Sequence, residues 1–344
     1  MVRIAVCYPL YSKVEVFKNG KTKSFNLSLG PRSHNLPYRP WEASYKDIIE
    51  YLQVIQSKSS QPLDNLVAVC DNEFKNEFRK WFYHIGRSWK IKNVNIIDSC
   101  HLLLFNSIRE LNVEEPSDYE LLCEITLFRD VIKAKLWKFK IGFGGYLIQG
   151  WTLLKTVEYQ LETSIIRDLA RLKSKLCESS DKYISYIVFR EFDKRHKQYI
   201  CEVFRGSKKT LFLSTPLKNP CKMAMKYGKG LYYETPINSN KLVLQLYGQY
   251  RCKPIINRSI EIKANGITFV EIGCTETLPT YRMINADSFE EKNVLEIFEC
   301  GKRTGTVELK QMYKIEFVFS VDGNGIFYIA EISDGRLLEK QHYY

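Results

Sequence analysis

The chain lacks the patterns that announce a metal centre, a disulfide framework or a membrane anchor. Its ten cysteines, Cys7, Cys70, Cys100, Cys123, Cys177, Cys201, Cys221, Cys252, Cys274 and Cys300, never pair as C-x-x-C, and none stands at zinc spacing from a histidine. Reduced, mostly buried thiols of a cytosolic protein are therefore expected. The five histidines, His34, His84, His101, His196 and His342, are too scattered to form a Ser-His-Asp or Cys-His arrangement by sequence. No run of about 18 apolar residues occurs, so a membrane-spanning helix is not expected. The apolar patch Ile4 to Leu10 is cut by Pro9 and followed by Lys13, too short for the core of a secretion signal. No internal repeat or low-complexity segment is legible. The expected location is the cytoplasm.

What the chain does contain is core material. Its 344 residues are 45% hydrophobic and 13% aromatic, enough for two packed domains. A net charge of +12 admits an acidic partner. The densest basic segments are Lys194 to Lys197, Lys208-Lys209 and the spaced Lys222, Lys226 and Lys229, interleaved with Tyr199, Phe204 and Tyr227. Aromatics among lysines can stack bases, but lysines so dispersed more often mark a solvated face. Nucleic-acid binding is kept as an alternative, and it is disfavoured.

The amino-terminal pattern reads as a β-meander over Val2 to Val6, Lys13 to Phe17 and Thr22 to Leu27, turning at Asn19-Gly20. Ser44 and Asp47 form a capping box ahead of a helix over Tyr45 to Gln56. A strand at Leu66 to Val69, a helix from Lys75 to Ile85 capped by Gly86, a strand at Val94 to Ile97 and a helix from Leu102 to Leu111 follow. Leu121 to Lys140 reads as a strand pair. Leu154, Val157, Leu161, Ile165, Leu169 and Leu172 predict one long amphipathic helix over Leu153 to Leu176. From Ser259 onward the pattern is short strands with Gly or Asn turns. Two glycine clusters imitate phosphate cradles, Gly142 to Gly145 and Gly301 to Thr306. The first lacks the required spacing, and the second follows a strand instead of opening a helix.

The most specific segment is Ile315 to Ile329. Ile315, Phe317, Phe319 and Val321 alternate, the run breaks at Asp322-Gly323-Asn324-Gly325, and a second apolar run begins at Ile326. Such a pattern predicts a β-hairpin turning at Asn-Gly. It resembles the closing hairpin of the peptide-binding β-sandwich in the heat shock protein 70 family of chaperones. The resemblance extends to Asn257 to Ile262, Asn265-Gly266, Leu278 to Thr280, Val294 to Phe298 with Gly301, and Gly305 to Leu309. Further upstream it includes Leu66 to Phe74 with Arg79. Ala224 to Gly228 resembles a helix ahead of the interdomain linker, and Leu242 to Leu246 stands where that apolar linker belongs. Arg205, Lys208 to Leu211 and Ser214-Thr215 resemble a helix end.

The resemblance implies an α/β part followed by a β part. A reduced actin-like or ribonuclease-H-like ATPase-type domain is expected over 1–235, a linker over 236–256, and a β-sandwich substrate-binding-like domain over 257–344. It also implies two phosphate loops, and neither survives. The first falls on Val6-Cys7-Tyr8-Pro9-Leu10, where Tyr8 replaces glycine, Val6 cannot hold a cation's water shell and Pro9 has no N–H. The second falls on Cys123 to Phe128, with Ile125, Thr126 and Leu127 in place of glycines. The stretches Leu36 to Ser44 and Thr215 to Ala224 are too short for the family's inserted subdomains, and with Tyr344 soon after the hairpin no helical lid is expected.

These departures predict a non-hydrolysing chaperone relative, with no cofactor and no metal, that binds unfolded or extended polypeptide or another chaperone. An ATP-dependent chaperone using ATP and magnesium through unusual loops is the alternative. Ile262, Ile267, Phe269, Ile284 and Val294 lie near positions that line the family's peptide groove, although any strand also buries alternate residues in its core.

Overall fold

A continuous apolar run from Ile4 to Tyr8 builds a strand buried on both faces, and the chain folds outward from it. In the computed structural model the described residues are 3–30, 39–59, 62–71, 73–113, 116–128, 131–140, 150–161, 164–178, 183–190, 196–213, 224–225, 256, 258–274, 276, 278–285, 294–308, 315–333 and 336–341. Strand β1 (Arg3–Tyr8) pairs antiparallel with β2 (Lys13–Lys18), which pairs with β3 (Lys21–Asn26). Asn19 and Gly20 both take positive φ, 53° and 77°, as the Asn-Gly turn requires. Helix α1 (Tyr45–Ser59) starts from the expected capping box. The Ser44 N–H donates to Asp47 Oδ2 at 2.8 Å and the Asp47 N–H donates to Ser44 Oγ at 3.2 Å. Strand β4 (Asn65–Cys70), helix α2 (Asn76–Ser88) and strand β5 (Asn93–Asp98) follow, with β1, β4 and β5 parallel. The sheet order is β3-β2-β1-β4-β5.

Gly86 does not cap α2. It lies inside the helix, where a Cβ would meet Val94 Cγ2 at 2.8 Å, so its role is close approach of α2 to β5.

Helix α3 (Ser99–Leu111) leads to a second sheet of β6 (Leu121–Phe128), β7 (Val131–Lys140), β8 (Gly150–Gln160), β9 (Tyr186–Arg190) and β10 (Lys209–Leu213), with helices α4 (Ile165–Cys177) and α5 (Lys197–Val203). Its order is β10-β9-β6-β7-β8. Strands β6 and β7 are antiparallel, as are β7 and β8, while β6, β9 and β10 are parallel. Strand for strand this is the succession and order of the first sheet. The chain therefore carries an internal structural repeat that no residue repeat betrays, because a fold needs only the apolar period and the turns to recur.

Three elements differ from expectation. The long helix over Leu153 to Leu176 is a strand and a shorter helix. Residues 150–160 pair along the whole of β7, and while Val157 is buried, Leu154 is exposed, so the three-residue spacing that suggested a helix joins opposite faces of a strand. Lys209 to Leu211, read as part of a helix end, lie in strand β10. The hairpin turn is not a tight Asn-Gly turn either. Val321 pairs with Phe327, leaving a five-residue loop in which only Gly325 has positive φ, and Asp322 Oδ1 accepts from the Asn324 and Ile326 N–H groups at 2.9 and 2.8 Å.

The carboxy-terminal strands are β11 (Ile260–Ala264), β12 (Ile267–Ile272), β13 (Thr280–Asn285), β14 (Val294–Glu299), β15 (Lys302–Glu308), β16 (Ile315–Val321), β17 (Phe327–Ser333) and β18 (Arg336–Gln341). They form two antiparallel four-stranded sheets, β12-β11-β14-β15 and β13-β16-β17-β18. Ile262, Ile297, Phe319 and Ile329 from both sheets share one core, to which Ile256 also belongs. Ile256 is the one described residue of the expected linker.

By packing, the chain forms two compact units that cut it differently from the domain limits read in the sequence. One is Met1–Cys100 with Pro220–Leu246 and Pro254–Tyr344, and the other is His101–Asn219 with Tyr247–Lys253. The two-sheet module thus groups with the first lobe, and Ile326 and Tyr328 of its hairpin belong to the same apolar core as Phe74, Phe78 and Phe82. Among the described residues Cys7, Cys70, Cys100 and Cys123 are buried and Cys201, Cys274 and Cys300 are exposed. Among the same residues no helix is long and apolar enough to cross a membrane.

Candidate functional site

In an open sheet with parallel strands, ligands bind beyond the strands' carboxyl ends. In the first lobe that place follows β1, β4 and β5, and Tyr8, Asp71 and Ser99 meet there. Val6 and Cys7 are completely buried, Tyr8 and Pro9 are buried, and Pro9 to Tyr11 form a 3-10 turn. The Tyr8 ring lies 4.8 Å from the Tyr11 ring, and its hydroxyl donates to Asp71 Oδ1 at 3.4 Å. The Ser99 hydroxyl donates to the same oxygen. Burial, and then the neighbouring Asp71 carboxylate, pushes the Tyr8 phenol well above its ordinary value. Burial likewise raises Asp71, while the two hydroxyls pull it back. Leu10 packs against the lobe core.

This geometry does not fit a triphosphate with magnesium. The backbone of Val6 to Tyr8 is committed to pairing with β2, and that of Val6 and Cys7 also with β4. Pro9 offers no N–H, and Tyr8 sets a ring where an anion would need amides. Among the described residues no group of three or more His, Cys, Asp or Glu could hold a metal ion.

In the second lobe, the expected phosphate-loop residues Ile125, Thr126 and Leu127 lie within strand β6, which pairs with β7 on one side and β9 on the other. The turn equivalent to that after β1 falls after Phe128, on residues outside those described. Beside these positions Glu124 makes a buried network. It accepts from Trp137 Nε1 at 2.9 Å and from Ser107 Oγ at 2.6 Å, and Arg190 Nη2 donates to Ser107 Oγ at 2.7 Å and to the Leu103 carbonyl at 3.0 Å. Burial raises the Cys123 thiol well above its ordinary value, so it is an inert core group.

The five candidate peptide-contact residues do not share one environment. Ile262 is wholly buried in the core of the module, and Phe269 and Ile284 pack partly against that core. Ile267 and Val294 are exposed at 57% and 41%, on strands β12 and β14 that flank β11. Tyr281 and Met283, on the edge strand β13, are exposed as well.

The densest polar constellation of the first unit was not foreseen. Arg79 on α2 is 1% exposed and donates from Nε to the Phe74 carbonyl at 3.0 Å, from Nη1 to the Asn324 carbonyl at 3.1 Å, and from Nη2 to Asp98. Arg258, equally buried, donates from Nε to Glu299 Oε2 at 2.7 Å and from Nη2 to the Gly325 carbonyl. Asn76, the first residue of α2, gives its N–H to Glu299 and exchanges two amide bonds with the Phe327 backbone, at 3.1 and 2.6 Å. Burial disfavours the charge on both arginines. The adjacent Asp98 carboxylate nonetheless holds Arg79 above its ordinary value, whereas Arg258 falls below its own despite Glu299. Burial also pushes the nearby Cys70 thiol up to about 12. A polar cleft of about 240 Å³ adjoins the network, lined by Lys75, Glu77, Glu299, Arg303, Thr304 and Phe327 among others. The resemblance at Arg79 and at the hairpin marked both ends of this network, but nothing in one sequence joined them.

No family model matches the chain. No curated protein matches it. Solved structures do. A Bacteroides thetaiotaomicron protein described as having an actin-like ATPase fold and unknown function aligns at 7% identity over 64% of this chain and 95% of its own, with a TM-score of 0.33. YeaZ from Pseudomonas aeruginosa aligns at 7% identity over 70% of this chain and 98% of its own, with a TM-score of 0.32. The Aquifex aeolicus member of the Ppx/GppA family aligns at 11% identity over 68% and 99%, with a TM-score of 0.31. None of these descriptions names a chaperone. Likeness at this level assigns neither substrate nor activity.

Proposed function

We propose that the chain is a non-hydrolysing relative of the heat shock protein 70 chaperones. In this reading a reduced two-lobed domain of the actin-like ATPase class carries a two-sheet module that binds extended polypeptide or another chaperone in the cytoplasm. The observation that carries the reading is the packing at Val6 to Pro9, where buried side chains, and backbone paired as far as Tyr8, stand where the resemblance puts a phosphate loop. The repeated strand order of the two lobes supports the two-lobed class. The exposed apolar Ile267 and Val294 support a polypeptide ligand, because an extended chain can add backbone hydrogen bonds at a sheet edge and side-chain contacts beside it.

Two measurements on the full chain test this. Isothermal titration with ATP and magnesium is expected to give no binding heat, and micromolar binding would return the ATP-dependent alternative. A fluorescent extended apolar peptide is expected to bind, and to lose affinity with Ile267→Asp and Val294→Asp, surface changes that leave the core intact. Equal affinity in the wild type and both variants would remove these residues from the site.

A further inference from the structure

We infer that the two-sheet module is a permanently fixed part of the first lobe, locked by a charge-balanced joint that needs no ligand to close. This inference concerns the first compact unit alone and does not depend on polypeptide binding. The joint consists of five hydrogen bonds between lobe and module: Arg79 Nη1 to the Asn324 carbonyl, the Ile96 N–H to Asn324 Oδ1, the Asn76 N–H to Glu299, Asn76 Nδ2 to the Phe327 carbonyl, and the Phe327 N–H to Asn76 Oδ1. Every one is buried, and all five use backbone groups of the hairpin or of β5 and α2 that would otherwise stand unpaired. β5 is the edge strand of its sheet, so Asn324 occupies an edge donor that would be open to another chain. Asn76 extends the pairing of β17 by imitating a neighbouring strand.

Charge makes the joint self-sufficient. Arg79 is neutralised by Asp98 and Arg258 by Glu299, so the joint buries two cations with two anions and requires no external counter-ion. Glu299 also sits at the positive amino-terminal end of α2. The fit leaves no slack at the turn. Gly325 has φ +70°, and a Cβ there would stand 3.0 Å from Arg79 Nη1 and 3.5 Å from Arg258 Nη1. Ile326 and Tyr328 continue into the lobe core, so opening would expose that core together with the charges.

The test uses the full chain with a protease recognition sequence inserted between Lys253 and Pro254. After cleavage the two fragments are expected to co-migrate in gel filtration at micromolar concentration, with and without ATP and magnesium. The double variant Asn76→Ala, Arg79→Met is expected to lose co-migration. Separation of the cleaved wild type would overturn the joint, and separation only on adding ATP and magnesium would overturn its independence of ligand. Since the variant could fail by unfolding, hydrogen exchange on the uncut wild type provides a second reading. The Ile96 and Phe327 amides are expected to be as protected as that of Phe319, and exchange at the rate of an exposed loop would refute the fixed joint. Failure to bind peptide would sink the proposed function and leave this result standing.

Discussion

Asp71 illustrates how a single side chain ties together the ends of neighbouring strands in the first lobe. One of its oxygens accepts from two hydroxyls, Tyr8 and Ser99, while the other is buried without a hydrogen bond. Burial raises its pKa, so the folded chain holds that proton more tightly than the unfolded chain does. The stabilising contribution is then complete below the ordinary carboxylate range and is lost as pH rises through the folded value. Near neutral pH the ionised group is a net cost to folding. Asp71→Asn, which keeps an acceptor for both hydroxyls, is expected to raise the thermal midpoint near neutral pH and to leave it unchanged in acid. An unchanged midpoint near neutral pH would mean that burial is not the dominant influence on this group. The missing N–H at Pro9 was legible from residue type alone, because proline has no N–H in any fold. That Asp71 and Ser99 converge on Tyr8 was not, since Tyr8 ends β1, Asp71 follows β4 and Ser99 opens α3 after β5.

Among the elements, helix α2 depends most on close approach. Gly86 in a helix is ordinarily unfavourable by about 1 kcal/mol relative to alanine, yet here a Cβ would overlap Val94. Gly86→Ala is expected to destabilise by about 1–3 kcal/mol in urea unfolding, the usual scale of overpacking. A stabilised variant would show that β5 yields easily. Sequence periodicity misread this glycine as a cap because it falls near the helix end. It misread residues 153–161 for a related reason: three-residue spacing within a strand imitates a helical stripe when an exposed leucine such as Leu154 is counted with buried neighbours. The capping box at Ser44 and the turns at Asn19-Gly20 and Asn265-Gly266 were legible, since each is fixed by local chemistry. Cys300 shares the positive-φ turn geometry with Gly301, and no residue preference marks a cysteine for it.

At the scale of the whole chain, the first lobe and the two-sheet module form one compact unit, so damage in one should be felt in the other. Phe319→Ala, in the module core, is expected to cost about 3–5 kcal/mol and to lower hydrogen-exchange protection in α2 and β5 as well as in β16. Loss confined to the module strands would show that the two unfold independently. The apolar periods, the turn residues and the missing glycines and oxygens at Val6 to Leu10 are properties of the sequence. They determined by themselves that the chain builds strand-rich α/β and β parts, and they placed a tyrosine ring and a residue without an N–H at the turn after β1. Tertiary structure alone decided that two lobes repeat one strand order, because topology conserves period and connection without conserving residues. It alone also decided that Arg79 and Asn324, 245 positions apart, meet in a buried joint, since long-range pairing of charge and backbone depends on how the sheets pack and leaves no local trace in the chain.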